Sequence, residues 1–299
     1  MGNRMSSMQS NYVKDMIRNS GMWNLSLPEI RKNMEGLQSA GMPKDIKNLR
    51  EKVGGVECEA FYCEGAAKDK VILYYHGGGF CLGIYSSNRD FVAELAHRCR
   101  ANIYMPDYRL APENPYPAAL EDAVEVYRGI LDKGFQPENI VIMGDSSGSA
   151  LSVSALLQLK EQGLPMPKAL SYITPLFDLT GKAETFITRR EEDPFVQEDP
   201  LSIAKIYLGA NDASSPMLSP LFGDLKGLPP VLIHSADSDV FSADSESFAK
   251  AVRLSGGTAE NKLWEEMWHI FHMQAAFVPE ADLALGELCS YIKKSLNIE

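Results

Sequence analysis

The chain has 299 residues, 45% of them apolar, and a formal net charge of -11 at neutral pH. That length suits one large α/β domain or two ordinary ones, yet no Gly/Ser linker, Pro-rich tract, repeat or long charge run divides it. The negative balance excludes tight binding to nucleic acid, which needs a basic face to displace counterions from phosphates.

The first segment, MGNRMSSMQSNYVKDM, lacks the apolar core of about 7–15 residues that a signal peptide carries, and no later stretch approaches the ~20 apolar residues of a spanning helix. Gly2 and Ser6 fit the loose myristoylation pattern, but so short a constraint recurs by chance and is set aside. Cys58, Cys63, Cys81, Cys99 and Cys289 show neither C-x-x-C pairs nor the density of a secreted disulfide scaffold, so a reducing cytoplasm is expected. Met5, Met8, Tyr12, Val13, Met16 and Ile17 recur at helical spacing and predict an amphipathic helix whose single apolar stripe packs on the body or covers a pocket. A membrane-surface role is the weaker reading, since only Arg4, Lys14 and Arg18 supply positive charge.

Two short strands around Gly54-Gly55 are expected between residues 46 and 63. The pattern then changes to short apolar runs: VILYY (71–75), NIYM (102–105), IVIM (140–143), ALSYI (169–173), VLIH (231–234) and KLW (262–264). Strands buried on both faces read this way. Helices are expected over 87–100, 117–133, 147–162, 244–254 and 278–296, with Asp244 capping its helix and Gly256-Gly257 ending it. Strand and helix alternating this often imply a mostly parallel sheet with ligands at the carboxyl ends of its strands. Residues 176–218 break the pattern, being rich in charge and turn formers with one modest helix near 201–208, and read as an insertion folded over the sheet edge.

Chemistry-bearing motifs follow the strands. After VILYY comes His76-Gly77-Gly78-Gly79-Phe80, where glycines let backbone N–H groups approach a developing oxyanion; the Lys-Ser/Thr of a phosphate loop is missing. After IVIM comes Gly144-Asp145-Ser146-Ser147-Gly148, then a helix, which is the strand-turn-helix setting of a nucleophile elbow. Such a turn crowds the positions two before and two after the serine, giving both glycines a steric reason. Ser147 is a rival nucleophile with Asp145 where the first glycine should be. The string also brushes against the GDSGG of chymotrypsin-like proteases, but those place histidine and aspartate before serine on antiparallel barrels.

A serine hydroxyl needs a base, and imidazole suits because its pKa lies near neutrality. Of five histidines, His76 lies in the glycine loop, His97 in a helix and His234 in a strand, which leaves His269 and His272 in EEMWHIFHMQ. An H-x-x-H zinc pair is a weaker reading, with no third ligand nearby. The orienting acid should follow VLIH, where Asp237 and Asp239 stand.

Taken together, HGGGF (76–80), DYRLAPENPYPAALEDA (107–123), GDSSG, DLT (178–180) and SPLFGDLKGLPP (219–230) make the chain resemble the hormone-sensitive lipase family of esterases from about Val71 onward. The resemblance implies an α/β-hydrolase fold, with a mostly parallel sheet flanked by helices, a helical cap (1–45 and 176–218) on a catalytic domain (46–175 and 219–299), and no metal or organic cofactor. It implies Ser146 as nucleophile, His269 as base and Asp239 as acid, with the N–H groups of Gly77, Gly78 and Ser147 as oxyanion hole and His76 as a brace. Ser147 and Ser149 depart slightly from the family's small residues there. The expected activity is hydrolysis of short-chain acyl esters, small molecules rather than nucleic acid or membrane, without activation at lipid surfaces. An amidase or deacetylase with the same three residues, or a non-catalytic binding protein on the same fold, is the alternative. Whether the chain is a monomer or a homodimer stays open.

Overall fold

A computed structural model describes residues 6–195 and 199–299; Gly2, Arg4 and Met5, which figure in the readings above, lie outside them. The first helix, α1, covers Met8–Asn19, its first turn closed by Ser7 Oγ accepting the Ser10 N–H. α2 (Leu27–Glu35) starts with a Ser26–Glu29 capping box. The expected single buried stripe on α1 is corrected. Ser10 and Val13 are buried and Ile17 packs inward, while Met8, Tyr12 and Met16 are 85%, 59% and 52% exposed. Polar anchors set this rotation: Glu280 binds the Ser7 N–H and hydroxyl, Lys14 Nζ reaches Ser238 Oγ, and Arg18 donates to the carbonyls of Glu191 and Glu192.

Eight strands form one sheet: β1 (Ile46–Val53), β2 (Val56–Cys63), β3 (Val71–Tyr75), β4 (Asn102–Pro106), β5 (Ile140–Asp145), β6 (Ala169–Ile173), β7 (Val231–Ala236) and β8 (Ala259–Trp264), in the order β1-β2-β4-β3-β5-β6-β7-β8. β1 and β2 form the expected hairpin, Gly54 and Gly55 both at positive φ, and β2 also runs antiparallel to β4; every other pairing is parallel. Within β3, side chains alternate between two cores. Val71, Leu73 and Tyr75 join the side built by α4 (Ala118–Asp132), α5 (Ser146–Glu161) and α8 (Ser242–Leu254), while Ile72 and Tyr74 join the side built by α3 (Ser86–Cys99) and α9 (Pro279–Leu296). Two short helices, α6 (Thr185–Thr188) and α7 (Ser202–Leu208), lie in the 176–218 insertion between β6 and β7.

Asp244 does not cap α8 as expected. The cap position is Phe241, and Asp244 turns inward from the first turn, its Oδ2 accepting the N–H groups of Phe177 and Asp178 at 2.9 and 3.0 Å. Among the described residues no helix is long and apolar enough to cross a membrane.

Candidate active site

The central strand β5 ends in the elbow. Ser146 sits at φ +49, a conformation that L side chains rarely adopt, and starts α5. The turn is too tight for side chains beside it: a Cβ on Gly148 would fall 2.2 Å from the Tyr75 carbonyl oxygen, and one on Gly144 would lie 3.0 Å from Gly148, Ser149 and Tyr75 backbone atoms. The serine hydroxyl thereby meets the ring of His269. Ser146 Oγ lies 2.9 Å from His269 Nε2, and His269 Nδ1 lies 3.0 Å from Asp239 Oδ2. With the ring neutral and its proton on Nδ1, the hydroxyl donates to Nε2 and Nδ1–H donates to Asp239. The other Asp239 oxygen accepts the Phe241 N–H at 2.9 Å, so the acid is fixed and fully buried.

The His269 loop is held from the sheet. Ile270, at φ +50, donates its N–H to Thr174 Oγ1 at 3.0 Å, and Thr174, at φ +40, donates its own N–H to the His234 carbonyl at 2.7 Å. Burial on its own lowers the ring's pKa, but Asp239 first, then Asp193 and Asp145, reverse this and hold it above the ordinary imidazole value. Two of the three rival groups are engaged elsewhere. His272 is buried against His234, with 3.1 Å between Nε2 and Nδ1, and burial keeps both rings neutral, His234 down to about 3. Asp237 accepts the Glu266 N–H. Ser147 Oγ is buried with no partner among the described residues.

His76 braces the glycine loop: its ring stacks on Tyr108 at 4.2 Å, Nδ1–H donates to the Gly77 carbonyl at 2.8 Å, and burial lowers its pKa to about 4. Asp145, the second residue of the elbow motif, reaches the same loop. Its Oδ1 accepts the Tyr74 hydroxyl at 2.6 Å and the Gly77 N–H at 2.9 Å. The expected use of the Gly77 N–H for an oxyanion therefore meets a competitor, because that donor already serves a carboxylate. The N–H groups of Gly78 and Gly79 donate to no acceptor among the described residues, and both glycines line the chamber beside Ser146. Gly79, read in the sequence as part of this glycine loop, is not in the oxyanion set that the resemblance implies, although it belongs to the same triplet.

Two chambers meet here. One, of about 130 Å³, lies over Ser146 and His269 and is walled by Leu176, Ile203, Val240 and Phe241. The other, of about 700 Å³, is lined by Met16, Met22, Met34, Leu37 and Met273. Trp23 and Phe195, 5.3 Å apart between ring centroids, line both. Among the described residues no cluster of His, Cys, Asp or Glu could hold a metal ion.

A doubly flanked sheet whose central strand ends in a strained serine facing histidine and a buried aspartate defines an α/β hydrolase, and a family model described by that fold matches residues 72–273. The chain belongs to this family and, within it, to the hormone-sensitive lipase esterases. It is 32% identical over 282 residues to a protein named esterase from Acinetobacter venetianus, covering 93% of each chain. It is 35% identical to an acetyl-hydrolase from Streptomyces hygroscopicus, over 79% of this chain and 80% of that one. Among solved structures, EstE5 superposes with a TM-score of 0.93 at 34% identity over 98% of this chain and all of the other. A hormone-sensitive lipase from a metagenome library gives 0.91 at 33%, with the same coverage.

Proposed function

We propose that this carboxylic ester hydrolase works through an acyl-enzyme on Ser146. The observation that carries the reading is the pair of contacts at 2.9 and 3.0 Å that links Ser146 to His269 and His269 to Asp239. Ser146 Oγ attacks the ester carbonyl carbon while its proton passes to His269 Nε2; the imidazolium then gives that proton to the departing alkoxide. Water repeats the sequence against the acyl-enzyme and releases the acid. Asp239 holds the Nδ1–H and so orients the ring. The oxyanion is received by the N–H groups of Gly78, Gly79 and Ser147, and Gly77, through Asp145, fixes the loop that presents them.

Residues 1–45 and 176–218 act together as a cap over this centre. Support comes from Arg18 bonding the carbonyls of Glu191 and Glu192 and from the Trp23–Phe195 contact. The chamber of about 130 Å³ at Ser146 favours a short acyl group, in keeping with the relative named acetyl-hydrolase. Five buried free thiols fit a reducing cytoplasm.

The test is a panel of acyl esters and amides assayed beside Ser146→Ala, together with a fluorophosphonate probe. Ester turnover should fall by a factor on the order of 10⁴ or more in the variant, because nucleophile and base act as a unit. The probe should label Ser146 alone. Labelling at Ser147, or an amide rate exceeding the ester rate, sinks the reading.

A further inference from the structure

Asp193 belongs to the charge-rich insertion, where its sequence context suggests a solvated carboxylate. It is instead 4% exposed and lines the Ser146 chamber with His269. Each of its oxygens has a donor: Oδ1 accepts the Phe195 N–H at 2.8 Å and Oδ2 the Val240 N–H at 3.1 Å. Val240 directly follows Asp239, and its carbonyl accepts the Thr185 hydroxyl, also from the insertion, at 2.6 Å. The backbone next to the acid is thus gripped at both the N–H and the carbonyl of Val240 by residues 47 and 55 positions earlier in the chain.

The charges around the ring come from three elements: Asp239 from the loop after β7, Asp145 from the end of β5, and Asp193 from the insertion; Asp244, in the first turn of α8, faces Asp239. Burial first, then the Asp239 charge, push the Asp193 carboxyl up to about 7, and the charge of a protonated His269 pulls it back down, so Asp193 is ionised chiefly when the ring is an imidazolium. Both Asp193 oxygens being engaged with backbone, the residue acts on the reaction through its neighbours rather than by touching substrate.

We propose that Asp193 is a positioning residue for ester hydrolysis: it locks the Asp239 loop to the insertion and sets a further negative charge beside His269, favouring the imidazolium formed as Ser146 attacks. This rests on the Ser146–His269–Asp239 relay proposed above. Asp193→Asn keeps the size but removes the charge together with one of the two acceptors, so kcat should fall about tenfold with KM within about twofold. The acid limb of kcat/KM, where the ring loses its proton, should move down by about half a pH unit, since a lost carboxylate lowers the ring's pKa. Thr185→Val loosens the same peptide without changing charge, and its limb should stay with the parent's. The pH dependence of fluorophosphonate labelling at Ser146 should shift as kcat/KM does. If Asp193→Asn does not fold, Asp193→Ser carries the same expectation. An acid limb coinciding with the parent's, or a raised KM with kcat unchanged, overturns the role of Asp193. A parent enzyme that is not labelled at Ser146 overturns the relay itself.

Discussion

Ser146, Thr174 and Ile270 share a positive φ, and all three meet where the hydroxyl faces the ring. Strain of about 1–3 kcal/mol per residue persists only where surrounding structure enforces it, and here the enforcers are sheet backbone and the Thr174 hydroxyl. Only His269 of the two loop histidines faces Ser146, so His269→Ala should be nearly inactive while His272→Ala keeps kcat within about tenfold of the parent and loses stability, having vacated a buried site beside His234. Steady-state kinetics and a thermal melt separate the two effects; the opposite ranking would mean that the wrong ring has been taken as base. Because the neutral ring is the active form, kcat/KM should drop as pH falls through its pKa. Asp239 and its acidic neighbours raise that value, placing the midpoint above about 6.5, and a profile flat from pH 5 to 8 would remove imidazole from the reaction. The serine and glycine motifs were readable because the turn dictates its own residues. Asp193, Thr174 and Tyr74 were not, since each acts on a partner more than 40 residues away that no local pattern announces.

At the level of elements, strands buried on both faces spell themselves as apolar runs, and β3 and β6 begin and end where VILYY and ALSYI do. β8 was read short, as KLW, because only part of that edge strand is apolar; the structure extends it back to Ala259. On α1 the pattern misled. Its inward line is Ser10, Val13 and Ile17, and the polar anchors at Ser7, Lys14 and Arg18 turn the methionine row outward. Asp244 shows the same failure at the start of α8, where a residue with capping chemistry serves a distant loop instead. Burial pushes its carboxyl up to about 8, so at neutral pH it is mostly protonated and still accepts two N–H groups on Oδ2. Asp244→Asn should therefore be nearly neutral in urea unfolding, whereas Asp244→Ala strands two buried donors and should cost about 2–3 kcal/mol. Equal losses would show that the carboxylate charge, not its hydrogen bonding, holds the loop.

For the whole molecule the question is what surface it presents to an ester. Met8 and Tyr12 face outward, Met16 sits half-exposed at the rim of the larger chamber, and Tyr12 meets the half-exposed Phe277 at 6.2 Å between ring centroids. The expectation that the first helix would hide its whole apolar stripe therefore fails at Met8 and Tyr12, while Val13 and Ile17 pack inward. The small chamber at Ser146 and the charged insertion still favour soluble substrates with short acyl chains. Across p-nitrophenyl esters from acetate to palmitate the rate should be greatest at the short end, and tributyrin hydrolysis should rise smoothly through its solubility limit. A jump when droplets form would assign the Met8–Tyr12–Met16 row to a lipid interface.

The last helix described, α9, carries none of the groups that meet at Ser146, yet Leu285, Leu288, Ile292 and Leu296 complete the core beneath β5, β6 and β7 and pack with α3. The side chains at 146, 239 and 269 all precede α9 in the chain, but the apolar face they rest on stays open to water until that helix docks. Competence as an enzyme thus waits on a helix that supplies none of the reacting groups.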